Sequence, residues 1–214
     1  MGRKAYFLTA KLYDIFVEPF NAGLRHIGFS LCPPAKNWRV LEIGCGTGTN
    51  LRMYREAGAR VFGVELSEFM LKIARRKLGP GAYLPLADAR ALPYPNCFFN
   101  VGLAMLTLHE MPPQTRSAAL DEMIRTLKPD GCLVLTDFCR SPLAFPKGWL
   151  YRAVNFIFEI AGGYRHFKNY RHFMKHGALR ALVQTKNLQI EEEKIVSGGN
   201  LVVMRVRPKK SSCE

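Results

Sequence analysis

The chain has 214 residues, 48% of them hydrophobic, 11% aromatic and 22% charged. That length holds one domain with small additions and buries a sizeable core, and the composition excludes a wholly disordered or collagen-like chain. Thirty-one Lys and Arg stand against 17 Asp and Glu, a formal net charge of +14. Such an excess fits an anionic partner, whether a membrane surface, a nucleic acid or a phosphorylated substrate, and is silent on fold.

Six cysteines, Cys32, Cys45, Cys97, Cys132, Cys139 and Cys213, lie far apart, and no pair has CxxC spacing. A disulfide framework needs denser cysteines in a smaller secreted chain, so reduced thiols in a cytoplasmic protein are expected. No zinc site or other metal site is legible. Gly2, Arg3 and Lys4 open the chain, but Lys11, Asp14 and Glu18 break the apolar stretch that a secretory signal requires. No run approaches the roughly 18 apolar residues of a spanning helix. Ala153 to Ala161, the richest, contains Asn155 and Glu159.

In chain order, apolar residues at Phe7, Leu8, Leu12, Ile15, Phe16, Phe20, Leu24 and Ile27 follow the 3.6 period and predict helix from Tyr6 to Phe29, broken into two at Pro19. Strands are expected at 39–43 and 60–64, with a glycine-rich turn at 44–50 and a helix at 51–57 between them. Ser67 is a candidate N-cap for a helix at 68–78. A short third strand, 82–86, is limited by Pro85. The nearly continuous apolar run 99–106 reads as a buried parallel strand. A helix from Pro113 to about Leu127, a turn at 128–131 and a strand at 132–137 follow. Residues 141–176 are rich in aromatic and basic side chains. A helix at 178–186, a strand at 188–196, a hairpin turn at 197–200 and a last strand at 201–206 close the pattern. Alternating strands and helices imply an α/β fold, a mostly parallel sheet with helices on both faces and an antiparallel terminal strand.

The strongest chemical signal is the run from Val40 to Gly48, with glycines at 44, 46 and 48 directly after a strand and before a helix. Glycine permits positive φ and close approach of a ligand to the backbone. The helix start offers free N–H groups and a positive dipole end. Neither the dinucleotide fingerprint G-x-G-x-x-G nor the P-loop pattern is met. What remains is acidic-x-G-x-G-x-G, starting at Glu42. Glu65 ends the second strand some twenty residues on, where a carboxylate can accept from both hydroxyls of a ribose. Asp88 follows the third strand at the same edge and is placed to accept from an adenine amino group, or else to close an Asx turn.

The runs Glu42 to Gly48, Gly63 to Ser67, Ala87 to Ala89 and Leu127 to Gly131 resemble the successive motifs of class I S-adenosylmethionine-dependent methyltransferases, in order and spacing, from about residue 38 to 138. That resemblance implies a Rossmann-like seven-stranded sheet with S-adenosyl-L-methionine across the carboxyl ends of its first strands. Carried over, Gly44, Gly46 and Gly48 line its methionine part, Glu65 holds the ribose, and Asp88 with Ala89 meets the adenine. Ala104 and Met105 would lie beside the methionine moiety. Glu42, Cys45 and Leu66, within the same motifs, belong to this cofactor-binding set. The implied organisation is an N-terminal helical cap over 1–36 and a methyltransferase domain over 37–214, with an aromatic-basic lid at about 141–176.

The flanks resemble the ubiquinone/menaquinone biosynthesis C-methyltransferase group: Ala10 to Asp14 is similar to its N-terminal Tyr-Asp motif, and 149–173 to its helix pair before the sixth strand. The bacterial phosphatidylethanolamine N-methyltransferases are similar in size and closing strands. Cys132, Asn100 and the run Thr107 to Glu110 depart from the quinone group's pattern. Among the latter, His109 sits just past the fourth strand, either as a general base for the acceptor or as a loop histidine packing the next helix. Tyr13 either covers the site or fills a core. The bases Arg165, His166, Lys168, Arg171, His172, Lys175 and His176 interleave with aromatics. Such a segment closes a pocket, docks on anionic lipid or stacks on nucleic acid, the last disfavoured because no recognised RNA-binding module is appended. The expected activity is methyl transfer to a lipophilic, quinone precursor-like small molecule near a membrane surface. The alternatives are a phospholipid N-methyltransferase, an RNA-binding or RNA-modifying protein, and a non-catalytic cofactor-binding subunit.

Overall fold

The computed structural model describes residues 18–209; Tyr13 and the first half of the expected N-terminal helix lie outside them. Helix α1, Glu18–Leu31, begins with Pro19 in its first turn, where a missing N–H costs no helical hydrogen bond. Then come β1 (Arg39–Ile43), α2 (Thr49–Glu56), β2 (Arg60–Val64), α3 (Glu68–Leu78) and β3 (Phe99–Met105). The chain continues with α4 (Pro113–Thr126), β4 (Leu127–Phe138), α5 (Lys147–Ala161), α6 (Tyr164–Lys175) and α7 (Ala178–Thr185). Strands β5 (Leu188–Val196) and β6 (Leu201–Pro208) close it around a short 3-10 turn.

The strands form one sheet in the order β2-β1-β3-β4-β6-β5. The first four are mutually parallel. Strand β6 runs antiparallel to both β4 and β5, between them. Six strands stand where seven are expected. Residues 82–86 pair with β2 only at two isolated bridges, Phe62 to Tyr83 and Glu65 to Leu86. Pro85 has no N–H to give to a ladder, so pairing is interrupted there. The expected turn at 128–131 is a bulge inside β4: Leu127 pairs with Phe99 and pairing resumes at Cys132 with Val101.

Helices cover both faces. Gly28 of α1 brings the helix against Val134 and Val203, whereas Met123 of α4 meets Gly102 and Leu133. Leu133 and Val134 are consecutive on one strand and so point to opposite sides. The buried core is built from both layers, with Leu41, Ile43, Leu103, Leu108, Leu120 and Met123 nearly inaccessible. Asn100, a departure from the family pattern, ties β1 and β4 to β3. Its Oδ1 accepts from the Arg39 N–H at 3.0 Å and from Lys128 at 3.4 Å.

Cys32, Cys45, Cys132 and Cys139 are buried free thiols. Cys97 is in a disulfide, a correction to the expectation of a fully reduced set. Gly63 in β2 shows how tightly the glycine turn is packed from below. A Cβ there would come within 2.9 Å of Cys45 Cβ and of Leu51 Cδ1. Gly63→Val is therefore expected to destabilise the fold by about 1–3 kcal/mol through overpacking, read as a lower urea midpoint at unchanged slope.

Candidate active site

The parallel strands β1, β2 and β3 end at one edge of the sheet, and the loops that follow them meet there. Gly44, Gly46 and Gly48 all have positive φ, +61°, +52° and +76°. A Cβ on Gly44 would collide with Thr107, on the loop after β3, while at Gly46 nothing lies within 4 Å. The turn is thus sealed against the next loop at one glycine and open to a ligand at another. Gly48 caps α2 from the left-handed region. The Glu65 carboxylate accepts from the N–H groups of Gly46 at 3.1 Å and of Leu66 and Ser67 at 2.9 Å, which fixes it, half-buried, against the glycine turn. A cavity of about 70 Å³ opens beside it, lined by the glycine turn, Glu42, Asn50, Met105, Leu106, and Asn21 and Arg25 of α1. Glu42 is buried and accepts from Asn50 at 2.8 Å. Burial, reinforced by Glu42 and Glu65, pushes the Cys45 thiol up, so it stays protonated.

Asp88 stands at the same edge, placed there by the Glu65–Leu86 bridge. Its carboxylate is already held by Arg90, through the side chain at 2.8 and 3.0 Å and the backbone N–H at 2.9 Å. Those bonds lower its pKa. A carboxylate has about four acceptor positions, so one remains. Ala89 and Ala104 are buried, Leu66 is exposed, and Met105 faces the cavity.

The loop 106–111, between the glycine turn and the lid, is clamped from two sides. Asp137, fully buried at the end of β4, accepts from the N–H groups of Leu108 and His109 at 3.1 Å, from Phe138 N–H at 2.8 Å and from His109 Nδ1 at 2.7 Å. Buried Arg116 of α4 donates to the carbonyls of Leu108, His109 and Met111. Leu106, at the loop's start, sits at φ +50°, a strained conformation for leucine. His109 is 3% exposed. Its Nε2 turns away from the glycine turn toward Glu159 of α5, at 3.6 Å, and it is not among the residues lining the small cavity. Burial opposes a charge on this ring, but the Asp137 carboxylate and its hydrogen bond, with Glu159 and Glu110, outweigh burial and push its pKa up to about 9. Glu159 also accepts from His166 Nε2 of α6 at 2.7 Å, and that bond raises the pKa of His166.

Helices α5 and α6 make up the segment expected as a lid. Helix α5 is anchored at its start to the hairpin turn, through Asn200 Nδ2 to the Gly148 carbonyl at 2.8 Å. Its apolar side chains face outward: Trp149, Leu150, Ile157 and Phe158 are 60–65% exposed, and flanking Phe145 and Tyr164 exceed 80%. Only Gly148 and the acidic Glu159 are buried. A groove of about 780 Å³ runs along α6, lined by Phe156, Tyr164, Phe167 and Tyr170 and by Arg152, Lys168, Arg171 and Lys175.

Of the expected cofactor set, the glycine turn, Glu42, Cys45, Glu65, Leu66, Asp88, Ala89, Ala104 and Met105 converge on one edge. His109 lies one loop beyond it, directed at the lid. Asn21, Arg25, Asp137, Arg116, Glu159 and His166 join the site without being marked as site residues by the sequence motifs. Two of them carry a usable signal: Asp137 ends an apolar strand and Glu159 interrupts an apolar helix, each a charge inside a buried pattern.

The family model described as a methyltransferase domain matches residues 40–131. The chain is 34% identical over 142 residues to the ubiquinone/menaquinone biosynthesis C-methyltransferase UbiE of Neisseria meningitidis, spanning 62% of this chain and 57% of that protein. It is 34% identical over 153 residues to the same enzyme of Bordetella avium, spanning 66% and 59%. Residues 40–131 are thus similar to methyltransferase domains. The chain thus spans less than two thirds of the length of these curated relatives. In fold it is similar to a Pyrococcus horikoshii protein (TM-score 0.67, 16% identity, 93% of this chain and 99% of that one). It is also similar to the [4+2]-cyclase SpnF (TM-score 0.64, 19% identity, 86% and 79%).

The residues present fit the cofactor of this domain class. The backbone at Gly46 is open, Glu65 offers an anchored acceptor beside it, and the small cavity would take one end of the cofactor, with Leu66 and Asp88 on the open edge to meet the remainder. Calorimetric titration with S-adenosylmethionine is expected to show saturable binding. Glu65→Ala should weaken it about tenfold to a hundredfold, the worth of a hydrogen bond to a charged group. Unchanged affinity would remove Glu65 from the site.

Proposed function

We propose that the protein transfers the methyl group of S-adenosylmethionine to a lipophilic small molecule, of the quinone-precursor type, at an anionic membrane surface. The observation that carries this reading is the inverted lid helix: α5 turns its aromatic and aliphatic side chains to the outside beside a groove of aromatics and bases. Monomeric proteins rarely expose a contiguous apolar surface of this kind without a use for it. An apolar helix face flanked by Lys147, Arg152, Arg165, Lys168 and Arg171 suits the boundary between acyl chains and anionic head groups. No helix among the described residues is long and apolar enough to cross a membrane, so the contact is peripheral. The UbiE relatives support a quinone-type acceptor.

When bound, the cofactor supplies a methyl group already activated on a sulfonium. Most of what is asked of this chain is binding and orientation. Glu65, the glycine turn and Asp88 hold the cofactor; Asn21 and Arg25 close the cavity from α1. The aromatics of the groove take the flat or greasy part of the acceptor, and its bases take a negative charge. Asp137 and Arg116 keep the loop between the two regions rigid. His109 is a positioning residue in this scheme, because Asp137 holds its Nδ1, its Nε2 faces Glu159, and its buried ring lines neither the groove nor the small cavity.

The test uses labelled S-adenosylmethionine with anionic vesicles containing either a demethylated isoprenoid quinol or phosphatidylethanolamine. Label in the quinol is expected; label in the phospholipid head group, or in neither, overturns the acceptor assignment. Flotation with the same vesicles is expected to recover the protein at low salt. Trp149→Ser combined with Ile157→Ser should cut recovery at least tenfold with little change in Tm, since both side chains are exposed. Equal flotation of the double variant overturns the membrane assignment.

A further inference from the structure

We propose that His109, Glu159 and His166 form a divalent-cation site of the zinc type that fastens the lid to the loop beside the cofactor edge. The three residues come from three separate pieces of chain: the loop after β3, helix α5 and helix α6. One donor atom from each lies within 4.8 Å of the others. The arrangement of the two imidazoles is the telling part. Both Nε2 atoms aim at the same carboxylate: His109 at 3.6 Å from Glu159 Oε1, and His166 at 2.7 Å from Glu159 Oε2. Both Nδ1 atoms face outward to a second carboxylate, His109 to Asp137 at 2.7 Å and His166 toward Glu110 at 3.9 Å. Metal-bound histidines characteristically give their outer nitrogen to a carboxylate, as His109 does to Asp137, which fixes the ring and raises its basicity.

Burial and charge agree with the geometry. The side chains of His109 and Glu159 are 4% and 9% exposed, and that of His166 is 20% exposed, leaving a way in from solvent. Three carboxylates, Asp137, Glu159 and Glu110, surround two imidazoles. A dication placed between the Nε2 atoms and Glu159 takes the place of the ring protons that these carboxylates otherwise favour, since metal binding to histidine releases its proton. It also gives a role to the one acid of α5, which is turned inward. Two imidazoles and one carboxylate suit zinc and leave a fourth position open. Tetrahedral bonds of about 2.0–2.1 Å place donors about 3.4 Å apart. The widest pair must therefore close by at most roughly 1.4 Å, within reach of side-chain rotation. The site stands whatever the methyl acceptor is.

The experiment uses the full chain without an affinity tag, stripped by chelator and dialysed against limiting Zn²⁺ or Co²⁺. Expected are one bound ion per chain by elemental analysis, a visible absorption band with Co²⁺, and a raised Tm. Glu159→Gln and His166→Ala should each lower metal affinity at least tenfold. His172→Ala with His176→Ala, which removes the stacked neighbouring pair at the end of α6, should leave it unchanged. S-adenosylmethionine titration of each variant reports whether its core is folded and separates failure here from failure of the cofactor site. No stoichiometric metal on the wild-type chain overturns the proposal. So does metal retained by Glu159→Gln and His166→Ala, or metal lost with the His172 and His176 pair.

Discussion

A single buried carboxylate organises the region between cofactor edge and lid. Asp137 has no exposure, yet it is satisfied by four donors: three backbone N–H groups and one imidazole. Removing a partner from a buried charged contact of this kind typically costs about 3–5 kcal/mol, a large part of the roughly 5–15 kcal/mol that holds a domain together. Arg116 does the complementary work, taking the carbonyls of the same loop while its guanidinium lies over Phe173 of α6 at 4.5 Å. Donors on one side and acceptors on the other leave the loop 106–111 little freedom. Since Thr107 of that loop packs on Gly44 and His109 on the lid, the two halves of the site share one rigid wall.

Class I folds are hosts to many chemistries, and the similar structure of a [4+2]-cyclase, SpnF, makes the point that the fold alone does not choose among them. In this chain one helix buries an acid and exposes tryptophan, phenylalanine and isoleucine, beside a second helix dense in bases. These features lie outside the matched stretch 40–131.

The cofactor edge is legible in the sequence because its determinants are local. Three glycines in five residues after a strand, and an acid at the end of the next strand, are set by backbone geometry within a short span. The same locality explains the strand bounds at 39–43, 60–64 and 188–196, which match residue for residue. Register effects are harder to see. Pro85 signals a limited strand, but its reduction to two bridges depends on the partner strand, as does the bulge at 128–131, where a Pro-Asp-Gly run looks like a turn. The cluster around Glu159 is out of reach for another reason. His109, Asp137, Glu159 and His166 are spread over 58 positions on four elements, and only the packing of the lid brings them together.

The placement of β6 sets the order in which the sheet can be completed. This strand comes last among the described elements, yet it lies between β4 and β5. Its residues Val202, Val203, Met204 and Val206 are fully buried. Until residue 206 has been synthesised, β4 presents an apolar edge with unpaired N–H and C=O groups, the kind of surface that invites wrong partners. The cofactor edge is complete in sequence well before that, by about residue 138. A nascent chain therefore carries a finished glycine-turn edge and an open, adhesive seam at once, and its safe passage depends on how quickly the final hairpin arrives to close it.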